Sequence, residues 1–507
     1  TLDEKIGQLC QVNGGQHDLH DAVRAGRIGS IINEVNVNEL NELQRIAVEE
    51  SRLGIPLMIG RDVIHGFKTI FPIPLGQAAT WDPASVKAAA RVAATEAASV
   101  GVNWTFAPMI DITRDPRWGR IAESLGEDPV LCSSLGAAMV EGFQGDQLSD
   151  HGAIAACAKH FAGYGAVEGG LDYATANIPE NELRNVYLQP FKAAADAGAV
   201  TFMTSFSDLN GVPASGNEFL MRQVLRTEWG FGGFVVSDWE SIKELTVHGF
   251  TANDGEAAFE AANAGVDMEM ASSVYRDHLP ALLESGRLQE SQIDEMVCNI
   301  LKVKFALGLF ENAFTDPHCF PRLVNDEHRD LAKAVATKSC VLLKNDGAVL
   351  PLSLESTADI AVIGPLADDG YEQLGTWIFD GESHHSHTCL RAISDLAGDR
   401  ARVHWVPAMR SSRCRENAGI EDAVRAARES DVALLFLGEE SILTGEAHSR
   451  ADIGLPGEQE ALIESVTHGD RGQACRLSNG TVYVWELVRL PDDERSPEDV
   501  VARLRIQ

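Results

Sequence analysis

Gly-Phe-Val-Val-Ser-Asp-Trp-Glu, residues 233–240, sets an apolar, β-branched run directly before a carboxylate, Asp238, and a tryptophan, Trp239. Bounded by glycine and only a few residues long, the run reads as a buried strand. An aspartate after a strand has an ordinary use as the N-cap of the next helix. Here the fully apolar run before it and the indole after it favour a different use. A barrel of parallel strands presents its reactive side chains at the strands' C-terminal ends.

Working outward, residues 1–312 repeat the pattern. β-rich runs at 28–32, 56–59, 103–107, 154–160, 199–205, 233–237 and 266–270 alternate with stretches of helical spacing at 83–99, 129–144, 181–197 and 217–228. Seven or eight such units in about 300 residues predict a (β/α)8 TIM-like barrel rather than an open sheet. A linker at 314–325, with Asp-Pro and Pro-Arg and no clear period, and a helix at 326–339 make 313–340 a connecting segment. From 341 a second βα series follows, clearest at 360–364 and 432–438. It predicts a doubly wound α/β layer, an α/β sandwich over 341–507, with functional groups beyond its strand ends. After the helical stretch at 457–466 another apolar strand is due, yet the tail from about 467 offers only a short β-like run at 481–485 and then charged residues to Gln507. The expectation is a second domain with an atypical, shortened ending.

At 507 residues, 45% apolar and 23% charged, the chain reads as soluble and globular, too long for one core. No run approaches the roughly 18–20 apolar residues that cross a bilayer. A net charge of −33 argues against nucleic acid or an anionic membrane as partner and fits a neutral small molecule. Nine scattered cysteines (10, 132, 157, 298, 319, 340, 389, 414, 475), with no C-x-x-C spacing, read as mostly buried small hydrophobes rather than a disulfide framework or zinc site. Thr1, followed by acidic first-turn residues, reads as a helix cap, so any export signal would lie upstream.

Asp238 beside Trp239 is what a nucleophile needs against a sugar ring, and hydrolysing a glycoside needs a second carboxyl across the bond. Leu-Thr-Gly-Glu-Ala-His-Ser-Arg-Ala-Asp-Ile (443–453) offers Glu446, with Glu439 and Glu440 as competitors. His384, His385 and His387, in Ser-His-His-Ser-His-Thr, lack a completing ligand set and read as an exposed loop, so no metal is expected.

Several motifs, taken in order, carry a resemblance. These are Gly-Arg-Asp-Val-Ile-His-Gly (60–66), Asp-Pro-Arg-Trp-Gly-Arg (115–120) with Glu-Ser-Leu-Gly-Glu-Asp-Pro (123–129), Ala-Lys-His-Phe-Ala-Gly-Tyr-Gly (158–165), Met-Thr-Ser-Phe (203–206) with Leu-Asn-Gly-Val-Pro (209–213), and Val-Ser-Asp-Trp-Glu (236–240). Over roughly 1–466 the chain resembles glycoside hydrolase family 3, especially its two-domain bacterial β-glucosidases. The resemblance implies that Asp238 attacks the anomeric carbon and that Glu446, on a second-domain loop, is the acid/base, needing a pKa near the operating pH. Asp62, Arg120, Lys159 and His160 would grip the hydroxyls of a nonreducing sugar, although Asp62 has a salt bridge to Arg61 as its plainer use. Trp239 would lie on the sugar's C–H edge. Met203 and Phe206 complete the wall or simply pack in the core. Trp377 is placed toward the aglycone side.

The implied function is a retaining, exo-acting β-glucosidase without cofactor, acting on a small carbohydrate, with an oligomer possible and a periplasmic or secreted location favoured over the cytoplasm. The alternatives are a β-xylosidase of the same family, or a catalytically impaired sugar-binding protein whose second domain is incomplete. A single-domain N-acetylglucosaminidase is disfavoured by the Lys-His-Phe-Ala-Gly-Tyr-Gly form and the second domain.

Overall fold

The computed structural model describes residues 1–16, 18–345, 348–468, 473–478 and 483–489, the last two segments by their backbone. Eight parallel strands form one sheet: β1 (Cys10–Asn13), β2 (Ser30–Ile32), β3 (Met58–Arg61), β4 (Trp104–Thr105), β5 (Cys157–Phe161), β6 (Thr201–Thr204), β7 (Phe234–Trp239) and β8 (Met268–Met270). Their order is β4-β3-β2-β1-β8-β7-β6-β5. Parallel bridges from Trp104 to Ala155 and from Met109 to Lys159 join the two ends, so the sheet curls into the expected barrel. β1 was not among the expected runs, because Cys-Gln-Val-Asn is half polar. Its Gln11 is nonetheless fully buried, its amide donating to Ser30 Oγ at 2.8 Å.

Buried aromatics fill the barrel. Trp104 lies edge-on to Phe106 and Phe234, and its indole N–H donates to Thr201 Oγ1 at 2.9 Å. Helix ends are closed by side chains: Thr1 and Glu4 make a capping box, and Asp82 and Asp128 each cap a helix that opens on proline. At the opposite end from the reactive strand tips, Lys304 of the helix Glu290–Ala306 is wholly buried. It donates to Gln8 Oε1, Gly29 O and Pro56 O, each at 2.8 Å.

The helix Asp326–Ser339 leads into a six-stranded sheet: β9 (Val341–Lys344), β10 (Asp359–Ile363), β11 (Arg402–Val406), β12 (Val432–Gly438), β13 (Gln473–Ser478) and β14 (Tyr483–Arg489), in the order β9-β13-β14-β12-β10-β11. Ala361 and Ile363 face a core with the helices Ile420–Arg428 and Gln459–His468, while Ile360 and Val362 face a second core with the helix Cys389–Ala397. This period of two, apolar on both faces, is what an α/β sandwich requires.

The sheet departs from a doubly wound parallel layer. Only β10, β11 and β12 are parallel; β14, β13 and β9 join antiparallel. The strand due after 466 is supplied by this β13–β14 pair; β14 overlaps the β-like run read at 481–485 and continues to Arg489. The charged stretch after Arg489 lies outside the described residues. The cysteine expectation also needs correction. Of the eight whose side chains are described, all free thiols, only Cys10, Cys132 and Cys157 are buried. Cys298, Cys319 and Cys340 are exposed, standing on outer helices and the linker rather than in the cores.

Candidate active site

The strand ends of the barrel converge with two loops of the second sheet unit around one pocket of about 610 Å³. Asp62, Arg120, Lys159, Met203, Phe206, Asp238 and Trp239 line it from the barrel, and Trp377, Phe379 and Glu446 from the second unit. Asp238 ends β7 nearly buried. Its Oδ1 accepts from the Trp239 amide at 2.7 Å, while its buried Oδ2 has no hydrogen-bond partner. Burial, and then the neighbouring charge of Glu446, push the Asp238 carboxyl up to about 8, against the opposing pull of Arg120 and Lys159.

Arg120 is the hub. Wholly buried, it donates from Nε to Glu123 Oε1 at 2.6 Å and from Nη2 to His160 Nε2 at 3.0 Å; its Nη1 stands 3.8 Å from Glu446 Oε2. The guanidinium lies between the faces of Tyr164 and Trp377, 5.5 Å from each ring centre. Lys159 Nζ is 3.2 Å from Asp62 Oδ1 and 3.9 Å from Glu123 Oε2. Burial works against the Lys159 charge, but these two carboxylates outweigh it and hold its pKa above the ordinary lysine value. Burial raises the Glu123 carboxyl in turn, with Arg120 and Lys159 opposing.

His160 stands behind this layer. Its Nδ1 donates to Asp111 Oδ2 at 2.8 Å, which fixes the tautomer and leaves the Nε2 lone pair to accept from Arg120. Burial, then Arg120 and Lys159, press its pKa well below the ordinary value, so the ring is neutral. Nε2 also lies 3.4 Å from Asp238 Oδ2. The sequence pattern cast His160 as a donor to hydroxyls; here Asp111 takes its N–H, and the ring orients Arg120 beside Asp238. Asp62 also differs from its plainer reading. Arg61 pairs with Asp380 at 2.8 Å, leaving Asp62 to Lys159.

Glu446 is brought in by backbone pairing across the two units. Gly445 N donates to Gly119 O at 2.8 Å, Gly119 N to His448 O at 2.9 Å and Arg450 N to Arg117 O at 2.8 Å, with an antiparallel bridge between Trp118 and Ser449. The start of the loop is pinned by buried Gln459, whose amide bonds both the N–H and the C=O of Gly438 at 2.8 Å. Its competitors are engaged elsewhere: Glu439 pairs with Arg450 and Glu440 with Arg413.

Trp377 and Phe379 are held by the barrel through Arg61–Asp380, Lys68–Glu382 at 2.8 Å, and the close approach of His65 Nε2 to Thr376 O at 2.6 Å. Trp377 lies against Lys159 as well as Arg120. Met203 and Phe206 serve both readings, lining the pocket while packed into cores. Glu382, His384 and His385 do bring ligand atoms within 4.8 Å of one another, but on an exposed turn with Glu382 already paired to Lys68.

Sequence reasoning gave no role to Glu123, Asp111, Asp172, Tyr173 or Phe379. Glu123 had a usable signal, its i,i+3 spacing from Arg120. The others had none, since their value comes from contacts across long chain separations.

Fold and pocket together define a barrel protein with a carboxylate-rich, cation-braced pocket closed by a second α/β unit. Residues 1–303 match the glycosyl hydrolase family 3 N terminal domain and residues 340–488 the glycosyl hydrolase family 3 C-terminal domain, and the chain belongs to that family. It is 38% identical over 95% of its length to a periplasmic β-glucosidase of Salmonella typhimurium, of which it spans 66%. It is 33% identical over 86% of its length to a β-xylosidase of Formosa agariphila, spanning 64% of that protein. Among solved structures, a Listeria innocua β-glucosidase in complex with isofagomine superposes with a TM-score of 0.86 at 39% identity, covering 92% of this chain and 66% of that one.

Proposed function

We propose that the chain is a retaining, exo-acting β-glucosidase that releases nonreducing terminal β-D-glucosyl residues from oligosaccharides or glucosides. The observation that carries this reading is the meeting of two carboxyls from different units in one pocket. Asp238 and Glu446 are linked through His160 and Arg120, at 3.4, 3.0 and 3.8 Å along the path. The second-unit loops that bring Trp377, Phe379 and Glu446 over the barrel mouth favour a chain end over an internal residue.

In this reading the free Oδ2 of Asp238 attacks the anomeric carbon while Glu446 gives its proton to the departing glycosidic oxygen. The C–O bond to the aglycone breaks and a glycosyl ester forms on Asp238. Glu446, now a carboxylate, takes a proton from water. The resulting oxygen attacks the same carbon, the ester bond breaks, Asp238 is freed, and the configuration is retained. Burial and the neighbouring charge of Glu446 raise the Asp238 carboxyl, so the resting pair holds a proton on Asp238, and the cycle begins once Asp238 is ionised and the proton is on Glu446. Asp62 accepts from sugar hydroxyls, Arg120 and Lys159 donate to them, and Trp239, half-exposed at the rim, covers the C–H edge.

The β-xylosidase relatives support a second reading in which the pocket takes a sugar without the C6 hydroxymethyl. Turnover of 4-nitrophenyl β-D-glucopyranoside and of the matching xyloside separates the two. Abolition by Asp238→Ala, and formation of β-glucosyl azide by Glu446→Ala with azide, is the expected result. Glucose binding without turnover of either glycoside would overturn the enzyme reading in favour of a sugar-binding protein.

A further inference from the structure

The loop bearing Glu446 enters the pocket from another unit, so something must fix its carboxylate against a charged hub that it does not directly hydrogen-bond. Two adjacent barrel residues meet it. Tyr173 donates its phenolic O–H to Glu446 Oε1 at 2.7 Å, with its backbone in the left-handed region at φ 64°. A tyrosine held there is under local strain, which the surrounding contacts sustain. Its ring packs edge-on against Phe206, 5.2 Å between centres.

Asp172, one residue earlier, joins the same loop to the pocket floor. Its Oδ2 accepts from the Ala447 amide at 2.6 Å, and its Oδ1 accepts from Trp118 Nε1 at 2.8 Å and Tyr164 O–H at 2.6 Å. Its own amide donates to Ser449 Oγ at 3.0 Å. Tyr164 is the ring beneath Arg120, so one carboxylate ties the base of the hub to the residue following Glu446.

We infer that Asp172 and Tyr173 form a latch that positions the Glu446 carboxyl for proton transfer, and that neither is itself a catalytic residue. The inference rests on the assignment of Glu446 as acid/base made above. Asp172 fixes where the loop docks, and Tyr173 fixes the carboxyl's rotation. In the first step, which kcat/KM reports, a latch of this kind matters only where a proton must be delivered to the leaving group. Its loss therefore falls on substrates with basic leaving groups and spares those whose leaving group departs unassisted.

The test compares Tyr173→Phe and Asp172→Asn with the parent chain on phenyl and 2,4-dinitrophenyl β-D-glucosides. A fall of about tenfold to a hundredfold in kcat/KM for the phenyl glucoside, with less than about threefold for the dinitrophenyl one, is expected from lost acid positioning. Equal losses on both substrates, or none, would overturn the latch. Amide hydrogen exchange of the segment 441–453 gives a readout independent of turnover. Faster exchange there in Asp172→Asn, with 234–239 unchanged, is expected; unchanged exchange in that variant overturns the latch even if the parent chain hydrolyses neither glucoside, an outcome that would separately sink the acid/base assignment.

Discussion

Gly445 donates its amide to the Gly119 carbonyl at 2.8 Å, and a methyl group on Gly119 would lie 2.4 Å from the His448 carbonyl oxygen and 2.5 Å from that of Gly445. Both obstacles are backbone, so no side-chain rotation relieves them. Gly119→Ala must push the Glu446 loop away from the barrel. The expected outcome is a loss of about a hundredfold in kcat on an aryl glucoside, the scale of a displacement near 1 Å at a reacting group. The melting temperature should change little, because the barrel core is untouched. Retention of full activity by Gly119→Ala would mean the loop works from another position.

Arg61 and Asp380 make the second fastening, nearly buried on both sides at 11% and 9% side-chain exposure. Arg61 also meets Asn33 Oδ1 at 2.8 Å and lies 4.8 Å from the Phe379 ring centre. Asp380→Ala leaves this arginine without its carboxylate and frees the segment carrying Trp377 and Phe379. A destabilisation of about 2–3 kcal/mol is expected, together with a KM increase larger than the kcat decrease, since the pocket wall loosens while Asp238 stays in place. Thermal denaturation and steady-state kinetics check both.

These fastenings mark the limit of what the sequence discloses. The barrel was legible because short β-rich runs recur between stretches of helical spacing, and the strands they become are almost wholly buried. β1 escaped notice because half its residues are polar; its buried Gln11 donates an amide N–H to Ser30 Oγ, nineteen residues away. Asp238 could be picked out because it follows an apolar strand run, and Asp62 and Lys159 through the family motifs that hold them. His160 came through the same motif as Lys159, yet its use could not be read, since Asp111, which takes its N–H, lies 49 residues earlier. Tyr173 and Glu446 are 273 residues apart and share no local pattern. Of the antiparallel β13–β14 pair, β14 showed in the β-like run at 481–485, while β13, Gln-Ala-Cys-Arg-Leu-Ser, mixes polar and apolar residues and offered no such run.

Asp238 itself costs the fold stability. Its carboxyl, raised to about 8 by burial and by Glu446, favours the protonated form in the folded state. The group's contribution is therefore favourable at acid pH, below the ordinary carboxyl value of about 3.9, and is lost as pH rises through about 8. Asp238→Asn never bears the charge. The variant should be inactive yet more stable than the parent by on the order of 1 kcal/mol at pH 8.5. The advantage should shrink toward pH 5. A Tm difference that is flat across this range would mean Arg120 and Lys159 fully compensate the charge.

Lys304 tests the other end of the barrel. Its ammonium is fully buried with three neutral oxygen acceptors and no carboxylate in hydrogen-bond contact, and burial presses its pKa down to about 7. Lys304→Met removes the charge but orphans Gln8 Oε1, Gly29 O and Pro56 O, which lie before three successive strands. Leaving these acceptors unsatisfied should cost about 2–4 kcal/mol in all. Between about 7 and the ordinary lysine value near 10.4 the unfolded chain binds a proton that the folded one does not. The parent's stability from this group accordingly rises with pH across that window, whereas the methionine variant gains nothing there. The gap in Tm between parent and variant should be wider at pH 9 than at pH 6.5, measured in one buffer series at constant ionic strength. A variant as stable as the parent at pH 9 would show that the three acceptors find other donors, and that the lysine is not what holds the barrel's first three strands together at their base.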